Sequence, residues 1–152
     1  MPRTPVILLA AIPAAMLAAC APQEAAVEPK SSPALDAAAA GGARYTMDSL
    51  IGIGDIVITP DAMVTSDGQR LPIRSAGDGV WAFVEPPSRL SNGEDFCFSK
   101  PVTFFTWHQH AEGLFVMNVG DWPAPPPVPD ANSWDTPGGC GLSTYRPTPK
   151  AG

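Results

Sequence analysis

The sequence predicts an all-β domain: a small antiparallel β-barrel or β-sandwich of about six to eight short strands with one disulfide, behind a leader and a tether. Three observations carry this. From residue 51 onward, short β-branched or aromatic segments alternate with Gly, Pro, Asn and Asp clusters. No apolar repeat of helical period and useful length follows residue 45. Two cysteines, Cys97 and Cys140, remain as a pair once Cys20 is set aside.

The strands follow in order. "IGIGDIVIT" (51–59) is rich in β-branched residues and glycine. "AMVTS" leads into Asp67-Gly68, and "QRLPIR" follows, so residues 61–74 read as a hairpin, because Asp-Gly readily takes the positive φ of a tight turn. Pro72 lacks an amide donor, which places the second arm at an edge or beside a bulge. "GDG" (77–79) turns the chain into "VWAFVE" (80–85), apolar on both faces as in a wall covered on two sides. "PPSRLSNGED" (86–95) is a loop. "FCF" (96–98), "VTFFTWHQ" (102–109) and "LFVMNVGDW" (114–122) are the most hydrophobic strands, the last two joined by "HAEG".

The folded unit expected from this is residues 45–147, with 148–152 a flexible tail. Roughly one hundred residues suffice for one core and not for two. Before it, the 24 residues "APQEAAVEPKSSPALDAAAAGGAR" (21–44) are mostly Ala, Pro, Ser and Gly, without an aromatic residue. Such a stretch buries too little apolar surface to offset its ordering entropy, so 20–44 reads as a flexible tether. The alanines at 34–40 suggest at most a transient helical turn.

Residues 1–19 hold one basic side chain, Arg3, then an unbroken run of Pro, Val, Ile, Leu, Ala and Met from Pro5 to Ala19. That is the layout of a signal peptide. As a helix the run spans roughly 22 Å, short of the roughly 30 Å hydrocarbon core, and Pro13 interrupts it. The run ends on Leu17-Ala18-Ala19-Cys20, which resembles the bacterial lipobox at all four positions. The resemblance implies that Cys20 is lipidated and becomes the mature N-terminus, held to the membrane by acyl chains. Ala21 differs from the aspartate that resembles an inner-membrane retention signal. The implied location is the cell envelope, at the outer membrane facing the periplasm.

In that oxidising compartment Cys97 and Cys140 are expected to pair. Between them lies "DWPAPPPVPDANSWDTPGGC", with five prolines in residues 123–129 flanked by Trp122 and Trp134. This is either a polyproline ligand for an aromatic-lined groove or a rigid crossing over the end of the barrel with both tryptophans beneath it.

The chemical candidates are few. His108 and His110, the only histidines, share a face if the segment is extended, with Glu112 next in that row. Imidazoles so placed suit Zn²⁺ or Cu²⁺, and the pattern resembles the H-x-H of cupin metal sites, whose further histidine this chain cannot supply. The competing reading is two solvated histidines at a hairpin tip. "GGARY" (41–45) and "GLSTY" (141–145) each resemble part of the Ser-Gly-x-x-Tyr loop of membrane-anchored lysozyme inhibitors, which implies a small barrel. Gly-x-Ser-x-Gly, glycine-rich phosphate loops and HExxH are absent, and Glu94-Asp95 reads as a solvated acidic pair. No catalytic residue or cofactor is expected. Residues 45–152 carry twelve acidic against six basic side chains, a balance that repels nucleic acid and favours a basic protein or other cationic partner.

Overall fold

The computed structural model describes residues 32–49, 52–90, 93 and 95–149. The leader, the lipobox and Cys20, the tether as far as residue 31, Glu94, and residues 150–152 lie outside the described residues. One short helix, α1 (Pro33–Ala39), precedes eight strands: β1 (Ala43–Met47), β2 (Ile56–Ile58), β3 (Ala62–Thr65), β4 (Arg70–Gly77), β5 (Val80–Phe83), β6 (Phe104–Gln109), β7 (Phe115–Gly120) and β8 (Gly141–Pro147). They form a closed barrel in chain order, every neighbouring pair antiparallel. Closure comes from β1 on β8, with Tyr45 opposite Pro147 and Met47 opposite Tyr145.

Alternation along the strands fills the interior. Tyr45, Ile56, Met63, Leu71, Ile73, Trp81, Phe83, Phe105, Trp107, Met117, Val119 and Tyr145 belong to one cluster. Their outward neighbours include Arg44, Arg70, Arg74 and Arg146, spaced by the two-residue period of the pleat. The hairpin at 61–74 forms as the Asp-Gly signal requires. Gly68 takes φ 90°, its amide donates to the Thr65 carbonyl at 2.9 Å, and Thr65 and Gln69 close the turn at 3.0 Å.

Four local expectations change. A closed barrel has no edge, so Pro72 is not on one. Its carbonyl accepts from Val84 N at 2.9 Å. The last β4–β5 register pair is Ile73–Phe83, so the missing proline amide faces the end of that ladder; the bulge lies further on, between Ser75 and Gly77. Among the described residues of 51–59 only Ile56–Ile58 is strand, because the chain bends through 52–55 to bury Ile53 at the barrel end. "FCF" is not a strand; it leads into a turn at Phe98 and Ser99, both in the left-handed region.

The fourth change lies in the expected tether, whose second half, from Ser32, carries α1 and the start of β1. Leu35 of α1 is fully buried against Val57 and Val64 on the outer wall of β2 and β3. That contact supplies what the local sequence lacks, since short helices are held by packing rather than propensity. Ser32 Oγ donates to the Ser66 carbonyl at 2.8 Å, and Arg44 pairs with Asp36. Among the described residues no helix is long and apolar enough to cross a membrane.

Candidate functional site

In an up-and-down barrel, connections after odd-numbered strands share one end and those after even-numbered strands share the other. Here that parity separates two kinds of surface. After β1, β3, β5 and β7 come 48–55, 66–69, 84–103 and 121–140, three of them long. After β2, β4 and β6 come only 59–61, 78–79 and 110–114.

The short-turn end holds a groove of about 760 Å³ between α1, β1 and the end of β8. Tyr45 and Phe115 line it together with Ala39, Ala40, Ala43, Pro147 and Pro149. Tyr45 meets Trp107 edge-on at 4.7 Å and Phe115 at 5.2 Å, and Trp107 stacks on Phe115 at 5.4 Å. These rings alternate with outward residues on β1, β6 and β7, so the groove exposes the end of the core. Burial holds the Tyr45 phenol above a tyrosine's usual pKa, with a hydrogen bond to Trp107 acting the other way, so the groove carries a neutral hydroxyl. The size and mainly apolar lining match those of small-ligand and peptide sites.

The same end is acidic. Each of the three short turns contributes one exposed carboxylate, Asp61, Asp78 and Glu112, and none has a lysine or arginine. Exposed Asp130 arrives beside them because Ala111 N donates to Ala131 O at 2.6 Å. Asp36, on the groove wall, is paired with Arg44. Hydrogen bonds from the Thr59 hydroxyl and then Arg70 hold the Asp61 carboxyl below the usual carboxylate range. From residue 101 to 145 the chain has no basic residue besides its two histidines.

The proline-rich connection 121–140 is a strap over the barrel wall, with part of the predicted rigid crossing and a different position. It lies on the outer face of β6 and β7 rather than over an end. Its return leg docks in sequence order: Ala131 at Ala111, Ser133 at His108, Trp134 and Thr136 at Asn118, Thr136 also at Thr106. Trp122 is buried, and its indole donates to the Pro137 carbonyl at 3.0 Å. Its ring lies so close to Gly120 that a Cβ there would come within 2.8 Å of it. Trp134 is half-buried and stacks on His110 at 3.6 Å.

The two histidines do share a face, as alternation predicts, and the strap buries both; they are not solvated. Their hydrogen bonds define their tautomers. His108 Nε2 lies 2.9 Å from the Ser133 carbonyl, which only accepts, so Nε2 is the donor and, in the neutral ring, Nδ1 holds the lone pair. His110 Nδ1 accepts the Glu112 amide at 3.2 Å, so neutral His110 is protonated on Nε2. His108 has the arrangement common in a metal-ligating imidazole, its second nitrogen donating to a carbonyl. His110 does not: a metal on Nε2 needs the proton on Nδ1, where the Glu112 amide already points. Glu112 itself is exposed on the turn, and among the described residues no three His, Cys, Asp or Glu side chains gather to hold a metal. The pair's visible role is to clamp the strap.

Cys97 and Cys140 form the expected disulfide, with Cα atoms 5.2 Å apart, joining connection 84–103 to the strap at the long-connection end. "GGARY" and "GLSTY" run into β1 and along β8, neighbouring barrel strands, and neither forms a projecting loop. Of the acidic pair, Asp95 is exposed, and Glu94 lies outside the described residues. Asp95 accepts the amides of Cys97 and Ser99 at 2.9 and 2.6 Å and the Ser99 hydroxyl at 2.6 Å. No family model, curated protein or solved structure matches the chain.

Proposed function

We propose that the protein is a lipid-anchored module of the cell envelope, held by Cys20 at the outer membrane facing the periplasm, that acts by binding rather than by catalysis. Its ligand is a cationic protein segment carrying an apolar or aromatic side chain. The observation that carries this reading is the coincidence of an aromatic-floored groove with carboxylates on all three short turns of the same barrel end. The rings offer burial and cation–π contact to an arginine or lysine, and the carboxylates attract the same charge over a Debye length.

The anchor is tested by palmitate labelling of cells. Wild-type protein should label and stay in the membrane pellet through a high-salt wash; Cys20→Ser should do neither. Binding is tested by titrating the acylated full-length protein with an arginine-rich peptide containing one phenylalanine. Saturable binding should weaken with added salt, and more with Phe115→Ala or with Asp78→Asn plus Glu112→Gln. Binding that ignores both sets of substitutions, or no saturable binding, refutes this ligand class.

A further inference from the structure

We infer that the long-connection end of the barrel rests on the bilayer, with Phe98 inserted at the lipid–water interface. The inference builds on the proposed Cys20 anchor and assigns it a membrane-contact residue.

Phe98 is 85% exposed, the most exposed large apolar side chain among the described residues. It is not a loose side chain. Asp95 gathers the Cys97 and Ser99 amides, Lys100 N donates to the Cys97 carbonyl at 3.0 Å, and Arg89 donates to Ser99 Oγ at 3.0 Å. The preceding residue is pinned to the strap through the disulfide. Phe98 and Ser99 take φ 53° and 62°, a region unfavourable for a side chain as large as phenylalanine. A rigid turn thus holds a large ring outward, at a cost that glycine or asparagine would avoid. Beside it, Leu142 is 38% exposed, and the two line one shallow depression of about 310 Å³ with Phe96 and Ile53. On the same connection exposed Lys100 is offset by exposed Glu85 and Asp95, and Arg89 is engaged by Ser99 and Asp95, so entry of the ring into the acyl boundary rather than charge makes the contact.

The position of the chain's entry selects a bilayer as the occupant rather than a protein. Ser32 is bonded to Ser66 in the β3–β4 turn, and by strand parity this turn shares its end with connection 84–103. Cys20 lies twelve residues before Ser32, a distance of at most about 40 Å of chain. The anchor therefore leaves from the end that displays Phe98. Acyl chains hold that end at high effective concentration near lipid, so one aromatic side chain is enough to set its orientation.

The test uses acylated full-length protein in vesicles of phosphatidylcholine brominated along its acyl chains. Tryptophan is placed at Phe98→Trp, at Leu142→Trp as a second reporter on the same end, and at exposed Gln109→Trp on the opposite end. The first two should show blue-shifted emission and quenching beyond that of the four native tryptophans, and the third should not. Vesicle flotation without extra quenching in the Phe98→Trp and Leu142→Trp proteins overturns this inference alone and leaves Phe98 to a protein partner. Wild-type protein that does not float overturns the anchor and this inference together. Equal quenching at all three positions also overturns it, because the domain would then have no preferred end.

Discussion

Asn118→Ala should detach the strap from the barrel wall more than any other single truncation. Asn118 is 2% exposed, donates to the Trp134 carbonyl at 2.9 Å, and accepts the Thr136 amide at 3.3 Å. Alanine removes both partners and leaves the Trp134 carbonyl and the Thr136 amide without them. An orphaned buried group costs about 1–3 kcal/mol, and the longer bond falls at the low end, so the loss should be about 3 kcal/mol. For a domain of this size that lowers Tm by roughly 10 °C. Urea denaturation gives the free energy, and native-state amide exchange locates it. The Thr136 amide should lose protection while the Cys140 amide, bonded to the Val119 carbonyl beside the disulfide, keeps it. A loss below about 1 kcal/mol with Thr136 protection intact would show that water or neighbouring side chains replace Asn118, and that the strap is held elsewhere.

Four further outcomes follow from the same geometry. Leu35→Ala removes a fully buried side chain and should cost about 2–3 kcal/mol, seen as rapid exchange of α1 amides over an intact barrel. Denatured, unreduced protein should titrate no free thiol at Cys97 or Cys140; breaking that bond, which spans 43 residues, should cost on the order of 4 kcal/mol in urea titrations. The Asp95 carboxyl is held below its usual range by the Ser99 hydroxyl, then by the Ser99 and Cys97 amides and Arg89. Its support of the 95–99 turn is therefore complete above the unfolded-state value near pH ~4 and is lost as pH falls through the lower folded value; Ser99 amide protection should drop there, and Asp95→Asn should remove that pH dependence. Calorimetric titration with Zn²⁺ should show no submicromolar binding that depends on His108 and His110, because His110 Nδ1 is already occupied by the Glu112 amide.

What the sequence shows plainly here is local, and what it hides is contact between distant segments. The 61–74 hairpin, the alternation of β6 and β7, and the cysteine pairing each rest on a signal within a few residues or on a simple count. α1 does not: its alanines have little helical drive, and Leu35 is held by Val57 and Val64. "FCF" is apolar throughout like a buried strand, but Asp95 collects the Cys97 and Ser99 amides and turns the chain instead. The histidines' shared face follows from the two-residue period, whereas their burial depends on Ser133 and Trp134 arriving from the strap. The groove has no local signature, since Ala39, Tyr45, Phe115 and Pro147 meet only when β1 closes on β8. One signal was available: each of the three short turns of the even strands carries a single acid and no base.

Strand parity also shows what α1 contributes to the proposed function. With eight up-and-down strands, β1 begins and β8 ends at the same end, the one with the short turns and the groove. A lipid anchor joined directly to β1 would draw that end against the bilayer and block the groove. α1 reverses the approach: it lies along the outer wall of β2 and β3, bringing Ser32 to Ser66 at the opposite end. Seven helical residues, about 10 Å of rise, would thus turn the domain end for end relative to the proposed anchor. With the proposed anchor in place, Phe98 would face lipid and the acidic groove would face away from it. Leu35, buried completely against the barrel, is then the residue on which that orientation would depend.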